Sequence, residues 1–150
     1  MRRSLVALLL GIVALQVPPV EPDGRNPSPG DWPMWRYDGA RSAGSPDEIA
    51  ASPNLLWSRK FPPVRRAWPL EPEGRLDFDA SYEPVVMGKS LFLGSPNDGS
   101  VAAYDTETGE EKWRFHTEGP VRCAPACWKG KVYAGSDDGY LYCLSAESGT

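Results

Sequence analysis

Residues 103–113 read AYDTETGEEKW and lie at the end of the first of two similar units in this 150-residue chain. The first unit, residues 83–109, reads EPVVMGKSLFLGSPNDGSVAAYDTETG, and the second, residues 124–149, reads APACWKGKVYAGSDDGYLYCLSAESG. Gly109 and Gly149 end the two units 40 residues apart (149 − 109). This periodicity predicts a repeat architecture in which each unit buries its apolar faces against its neighbours.

Each unit is predicted to consist of short strands. In the first unit, apolar runs cover residues 84–87, 90–94 and 100–104, and EEKWRFH at 110–116 follows as a fourth strand. Runs of this length, separated by Gly, Asn and Asp, are typical of antiparallel sheets. The second unit shows three corresponding runs and reaches Thr150 where its own fourth strand is expected.

Two Asp-Gly pairs predict hairpin turns within these units. Asp98-Gly99 lies between apolar runs of the first unit, and Asp138-Gly139 occupies the same place in the second. The tight turn that matches strand twist needs residues that tolerate positive φ, and Asp and Gly do so. The predicted hairpins therefore recur with the repeat.

The segment 103–113 fits the pattern A-x-D-x-x-T-G-x-x-x-W at every fixed position. It resembles the tryptophan-docking repeat of pyrroloquinoline quinone (PQQ) propellers. The resemblance implies an all-β fold, a β-propeller of four-stranded antiparallel blades, seven or eight in the full protein, of which about two are present here. In that family the Trp of the outermost strand stacks on a neighbouring blade near the Gly. The structural docking motif would then be Ala103, Asp105, Thr108, Gly109 and Trp113.

Two further observations bear on this docking motif. An indole on an outer strand gains about 1.5 to 3 kcal/mol when it is buried, and a neighbouring blade supplies the surface. The second unit departs from the motif, with Cys143, Ser145 and Ser148 in place of Ala, Asp and Thr. The resemblance therefore implies a divergent propeller.

The first sixteen residues read as a secretory signal peptide. Arg2 and Arg3 precede an apolar run from Leu5 to Leu15, which is too short to span a bilayer. An uncleaved anchor and a twin-arginine signal are the less favoured alternatives, and no Cys follows the run to carry a lipid. We expect the N-terminal part of an exported bacterial protein, in the periplasm or outside the cell.

The remaining chain is divided by composition and repeat pattern. The copy of the fourth strand at 55–61, LLWSRKF, lacks the three strands before it and is predicted to close a ring by pairing with the last blade. The predicted segments are a signal peptide (1–16), a Pro- and Gly-rich linker (17–30), an aromatic segment packing on the domain (31–54), an orphan outer strand (55–61), a Pro-rich insertion (62–80), a propeller blade (81–117) and an incomplete second blade (118–150).

The three cysteines, Cys123, Cys127 and Cys143, show no metal-binding or haem-attachment spacing. We interpret them as small buried residues on strands. Cys127 and Cys143 would lie two strands apart, about 9.6 Å, which exceeds the bridging limit of roughly 7 Å. No disulfide is predicted between them.

No catalytic, cofactor-binding or metal-binding residue is identified. Asp77, Asp79 and Glu83 could in principle attract calcium, but a solvated loop is the favoured interpretation. His116 is interpreted as a surface residue rather than a base. PQQ and calcium are expected only if the full-length protein supplies their site in other blades. The formal net charge of −4 argues against nucleic acid as a partner.

These observations lead to a functional hypothesis with two alternatives. The leading one is an exported, non-catalytic binding or assembly scaffold whose partner is an unknown protein or cell-envelope component, with no membrane span after signal removal. The first alternative is a PQQ-dependent alcohol or sugar dehydrogenase with its active site in other blades. The minor alternative is an outer-membrane protein assembly factor.

Overall fold

The computed structural model describes residues 27–64 and 81–150, and all regular secondary structure in them is β-strand. The strands form two antiparallel sheets, here called blade 1 and blade 2, in which consecutive strands pair. This confirms the predicted all-β fold of propeller blades. Blade 1 contains β1 (Val85–Met87), β2 (Ser90–Ser95), β3 (Ser100–Asp105) and β4 (Glu111–His116), and blade 2 contains β5 (Ala126–Trp128), β6 (Lys131–Gly135) and β7 (Leu141–Ser145).

β3, one of the two inner strands of blade 1, is buried on both faces. Val101, Ala102, Ala103 and Tyr104 are successive residues of β3, and each is at most 2% exposed. Because successive side chains of a strand point to opposite faces, both faces of this sheet must be covered. That is the burial pattern of a blade between two neighbours.

Blade 2 covers one of these faces. The core between the sheets joins apolar residues of blade 1 to those of blade 2 and of the connecting loop, namely Val85, Phe92, Val101 and Ala103 with Val121, Cys127, Val132, Ala134 and Leu144. Burial of each large apolar side chain contributes about 1.5 to 3 kcal/mol. The two sheets are therefore held together mainly by apolar packing.

Residues before the first strand cover the other face of blade 1. Phe61 and Tyr82 pack against a second core cluster formed by Leu93, Ala102 and Tyr104. The Phe61 ring lies 5.2 Å from the ring of Tyr82 and 6.0 Å from that of Tyr104, centroid to centroid. The segment 55–64 thus takes the place that a preceding blade would occupy.

In each predicted hairpin turn the glycine has a positive φ, whereas Asp98 and Asp138 do not. Gly99 and Gly139 have φ angles of 60° and 90°, in the left-handed region that favours glycine. Equivalent residues pair within the two sheets: Phe92 pairs with Ala103 in blade 1, and Tyr133 pairs with Cys143 in blade 2. The two blades are copies in pairing as well as in sequence.

The predicted aromatic segment contacts both sheets. Trp32 forms an isolated antiparallel bridge with Val86 of β1. β1 and β5, the first strands of the two blades, also contact each other. The outer edges of these two strands, away from β2 and β6, therefore border one region, here called the inner side of the blades.

Three predictions from the sequence differ from the structure or concern residues beyond its described part. Residues 55–61 form no β-strand, because no described strand lies beside them to pair with. Cys123 and Cys143 are exposed rather than buried, since one lies in the β4–β5 loop and the other on the uncovered face of blade 2. Residues 1–26, with the signal peptide and most of the linker, and residues 65–80 of the insertion fall outside the described ranges. In the part that is described, no helix has the length and apolar character needed to cross a membrane.

Candidate functional site

The residues of the docking motif meet at the contact between the blades. Trp113 of β4 reaches across to blade 2, where its indole Nε1 donates a hydrogen bond to the carbonyl oxygen of Ala146 at 3.0 Å. A Cβ atom built on Gly149 would lie 2.6 Å from the Trp113 ring. Only glycine allows this approach, and its φ of +74° also favours glycine.

The same contact occurs one blade earlier. The indole Nε1 of Trp57 donates to the carbonyl oxygen of Thr106 at 2.9 Å. A Cβ on Gly109 would lie 2.6 Å from the Trp57 ring. Trp57 therefore contacts blade 1 as Trp113 contacts blade 2, although its own segment is not a strand.

Asp105 organises the turn that presents Gly109. Its Oδ1 accepts hydrogen bonds from the backbone N–H groups of Glu107 at 2.9 Å and Thr108 at 3.1 Å. Its Oδ2 lies 3.1 Å from the Lys112 ammonium. The Glu107 hydrogen bond first, and then Lys112, lower the pKa of the Asp105 carboxyl to about 2. This side chain is an ionised structural group at neutral pH.

Ala103 and Thr108 complete the motif. Ala103 is fully buried and pairs across the sheet with Trp113, next to an irregularity in the β3–β4 register. The Oγ1 of Thr108 accepts a hydrogen bond from the Glu110 backbone N–H at 3.2 Å. All five motif positions thus lie at or beside one turn and its outer strand.

A family model described as outer membrane protein assembly factor BamB matches residues 48–150, more than half of the chain. The chain belongs to this family of PQQ-like propeller repeats. Among curated proteins, no sequence matches it.

Two solved structures are similar to parts of this repeat chain. BamB from Moraxella catarrhalis is 22% identical, with a TM-score of 0.39, and the match covers 42% of this chain and 19% of that one. The computationally designed Ika8 protein is 17% identical, with a TM-score of 0.38, and the match covers 46% and 22% of the two chains. The alignment thus spans about a fifth of the length of either structure.

The second PQQ-like repeat keeps its turn without the Asp carboxylate. The N–H of Gly149 donates to the carbonyl oxygen of Ser145 at 2.8 Å, as that of Gly109 does to Asp105 at 2.9 Å. Ser145 also donates its N–H to the carbonyl oxygen of Thr150. Backbone hydrogen bonds and a hydroxyl–hydroxyl hydrogen bond between Ser148 and Thr150, at 2.8 Å, therefore maintain this turn in blade 2.

The Asp residues of the two hairpins both hold polar contacts. Asp98 Oδ1 accepts a hydrogen bond from the Ser100 hydroxyl at 2.8 Å. Asp138 Oδ1 accepts from the Tyr140 N–H, while its Oδ2 accepts from the Tyr142 hydroxyl and from the Glu118 N–H. Desolvation opposes ionisation of Asp138, yet these hydrogen bonds lower its pKa overall.

A polar network around Arg114 was not predicted from the sequence. Its guanidinium donates to the hydroxyls of Ser100 at 2.7 Å and Tyr104 at 2.9 Å and to the carboxylate of Glu111 at 2.7 Å. Arg59 lies over the ring of Tyr104, 4.6 Å from its centroid. The alternation in EEKWRFH could have indicated an inward Arg, but its two hydroxyl partners, Ser100 and Tyr104, lie on β3.

A cavity of about 210 Å³ lies beside this network. Its walls include Trp57, Arg59 and Phe61 on one side and Tyr82, Leu91 and Tyr104 on the other. The lining is almost entirely apolar, with Arg59 and Tyr82 as its polar ends. It lies between blade 1 and the segment that occupies the place of a preceding blade.

The acidic residues considered as metal ligands are not brought together. Glu83 Oε2 accepts a hydrogen bond from the Ala124 N–H at 3.1 Å and so ties the start of blade 1 to that of blade 2. Asp77 and Asp79 lie outside the described residues. Within 27–64 and 81–150, no three His, Cys, Asp or Glu side chains are grouped as metal ligands. His116 is exposed at the end of β4.

Proposed function

We propose that the chain is part of an exported, non-catalytic propeller that acts as a binding or assembly scaffold. The observation that carries this proposal is the use of ionisable side chains in the repeats. Four of these side chains form structural contacts. Asp105 and Asp138 each hold a turn through several hydrogen bonds, and Glu83 joins the two blades through one. Arg114 binds side chains of β3 and β4. Groups held in this way stabilise the blades, and on this ground we propose a structural rather than a catalytic role for them.

Exposed aromatic residues supply a binding surface for such a scaffold. Trp35 is about half exposed, at 48%, and Tyr140 is 69% exposed. Trp and Tyr are enriched among the residues that dominate protein interfaces. We infer a protein partner in the cell envelope, consistent with the exported location that the N-terminal sequence predicts.

The family description favours one form of this function. The matching family is described as outer membrane protein assembly factor BamB. A role in assembling other envelope proteins is therefore the more specific version of the proposal. Deletion of the gene would then lower the amount of folded outer-membrane protein.

The scaffold proposal is tested on the full-length protein in cells. A photo-crosslinking amino acid at position 140 is expected to capture a defined envelope protein, whereas the same group at position 113, which is docked between blades, is not. Purified protein supplied with PQQ and calcium is expected to show no dye-linked oxidation of alcohols or sugars. Turnover together with a quinone absorption band would contradict the proposal.

A further inference from the structure

One short segment covers the inner edges of both blades. The backbone N–H of Trp32 donates to the carbonyl oxygen of Val86 at 2.9 Å, and the N–H of Val86 donates to the carbonyl oxygen of Trp32 at 2.8 Å. One residue later, the carbonyl oxygen of Pro33 accepts a hydrogen bond from the N–H of Cys127 at 2.6 Å. The segment thus passes from blade 1 to blade 2.

The two residues that it pairs with are equivalent in the repeat. Val86 is the middle residue of β1 and Cys127 that of β5, 41 positions later (127 − 86). On an edge strand such backbone groups have no partner in their own sheet. Two consecutive residues of one segment therefore satisfy the same edge position in two consecutive blades.

Side-chain contacts hold this segment in place at Asp31 and at Tyr37. Asp31 Oδ1 accepts a hydrogen bond from the Gly88 N–H at 2.7 Å, in the β1–β2 turn. The Trp32 ring lies 5.2 Å from the ring of Tyr37, which is only 6% exposed. Tyr37 has a φ of 78°, a strained conformation for a bulky residue that persists only where packing holds it.

We propose that residues 31–37, the inner clip, form an intramolecular lock on the axial side of the propeller. The clip holds β1 and β5 at a fixed spacing and occupies the backbone groups that an extended peptide would need for strand addition. Strand addition by a partner is therefore excluded at these positions of β1 and β5. This inference does not depend on the scaffold function.

Amide hydrogen exchange on the full chain tests the inner clip. The N–H groups of Val86 and Cys127 are expected to be protected in the unaltered protein. Trp32→Ala removes the ring that packs against Tyr37 and is expected to speed exchange of both groups about tenfold or more, with β3 amides unchanged. The matched control is Trp35→Ala, which removes a half-exposed indole of the same segment and should leave both groups protected.

A second variant tests the inner clip independently, in case Trp32→Ala does not fold. Asp31→Ala removes the acceptor for the Gly88 N–H and is expected to release the same two amides more mildly. Fast exchange of the Val86 and Cys127 amides in the unaltered protein would overturn the inner clip. So would equal acceleration of β3 in Asp31→Ala, because the segment would then support global stability only.

Discussion

The two blades share a strand pattern but differ in burial. Val101 at the start of β3 is fully buried, whereas its counterpart Leu141, 40 residues later, is 73% exposed. Ala103 and Cys143 show the same contrast. Each of these residues lies on the face that turns towards the following blade, and among the described residues only blade 1 has one. The covering neighbour, and not the repeat sequence, decides which residues belong to the core.

Thiol reactivity gives the largest expected contrast between a covered and an open face. Burial, with a smaller contribution from Asp31, raises the pKa of the Cys127 thiol to about 12. At neutral pH we expect Cys127 to react with a thiol reagent roughly a hundredfold or more slowly than the exposed Cys123 and Cys143. Peptide mapping after timed labelling measures this. Comparable rates at all three would mean that blade 1 does not cover that face of blade 2.

Removal of a docking indole should separate the blades. Trp113→Ala deletes the contact with Gly149 and the hydrogen bond to Ala146, and is expected to lower the free energy of unfolding by about 3 kcal/mol. Trp128→Ala, which removes a half-exposed indole, should change it by less than about 0.5 kcal/mol. Urea unfolding of both variants provides the comparison. Similar losses in the two would argue against docking as the main contact between blades.

A comparison of two glycines with similar φ angles distinguishes the stability cost of backbone strain from the cost of losing the Trp docking contact. Gly88 has a φ of +60° and no heavy atom within 4 Å of a built Cβ, whereas Gly109 has a φ of +72° and the Trp57 ring at 2.6 Å. Ala at either position adds strain of about 1 kcal/mol. Gly109→Ala should lose a further ~2 kcal/mol because the ring must move. Equal losses of stability in the two variants, measured by thermal unfolding, would show that Trp57 does not pack against Gly109.

The smallest effect concerns the Asp105 carboxylate, which blade 2 lacks. Its folded pKa of about 2 lies below the ordinary 3.8, so its stabilising contribution is present above the ordinary value and is lost as the pH falls towards 2. Asp105→Asn should flatten this part of the pH dependence of unfolding, measured in urea from neutral pH to about 2. Glu107→Gln, an exposed acid in the same turn, is the control. An unchanged profile in Asp105→Asn would contradict the assignment.

Much of the fold follows from local sequence signals. The strands of blade 1 begin and end within a residue of the predicted runs, because turn residues and apolar runs bound them locally. The network of Arg114 with Ser100 and Tyr104 escaped prediction, since these two partners lie on another strand, β3. The exposure of Cys143 escaped it for the same reason: burial depends on what covers a face.

The sequence by itself determined the repeat, the antiparallel strands and the hairpins, because each rests on residues close together in the chain. Only the tertiary structure decided which faces are covered and that Trp32 and Pro33 pair with equivalent residues of two blades. Those contacts join positions more than fifty residues apart (86 − 32), and no periodicity records them. Short-range sequence signals specify the strands and turns, and long-range packing specifies which of them contact one another.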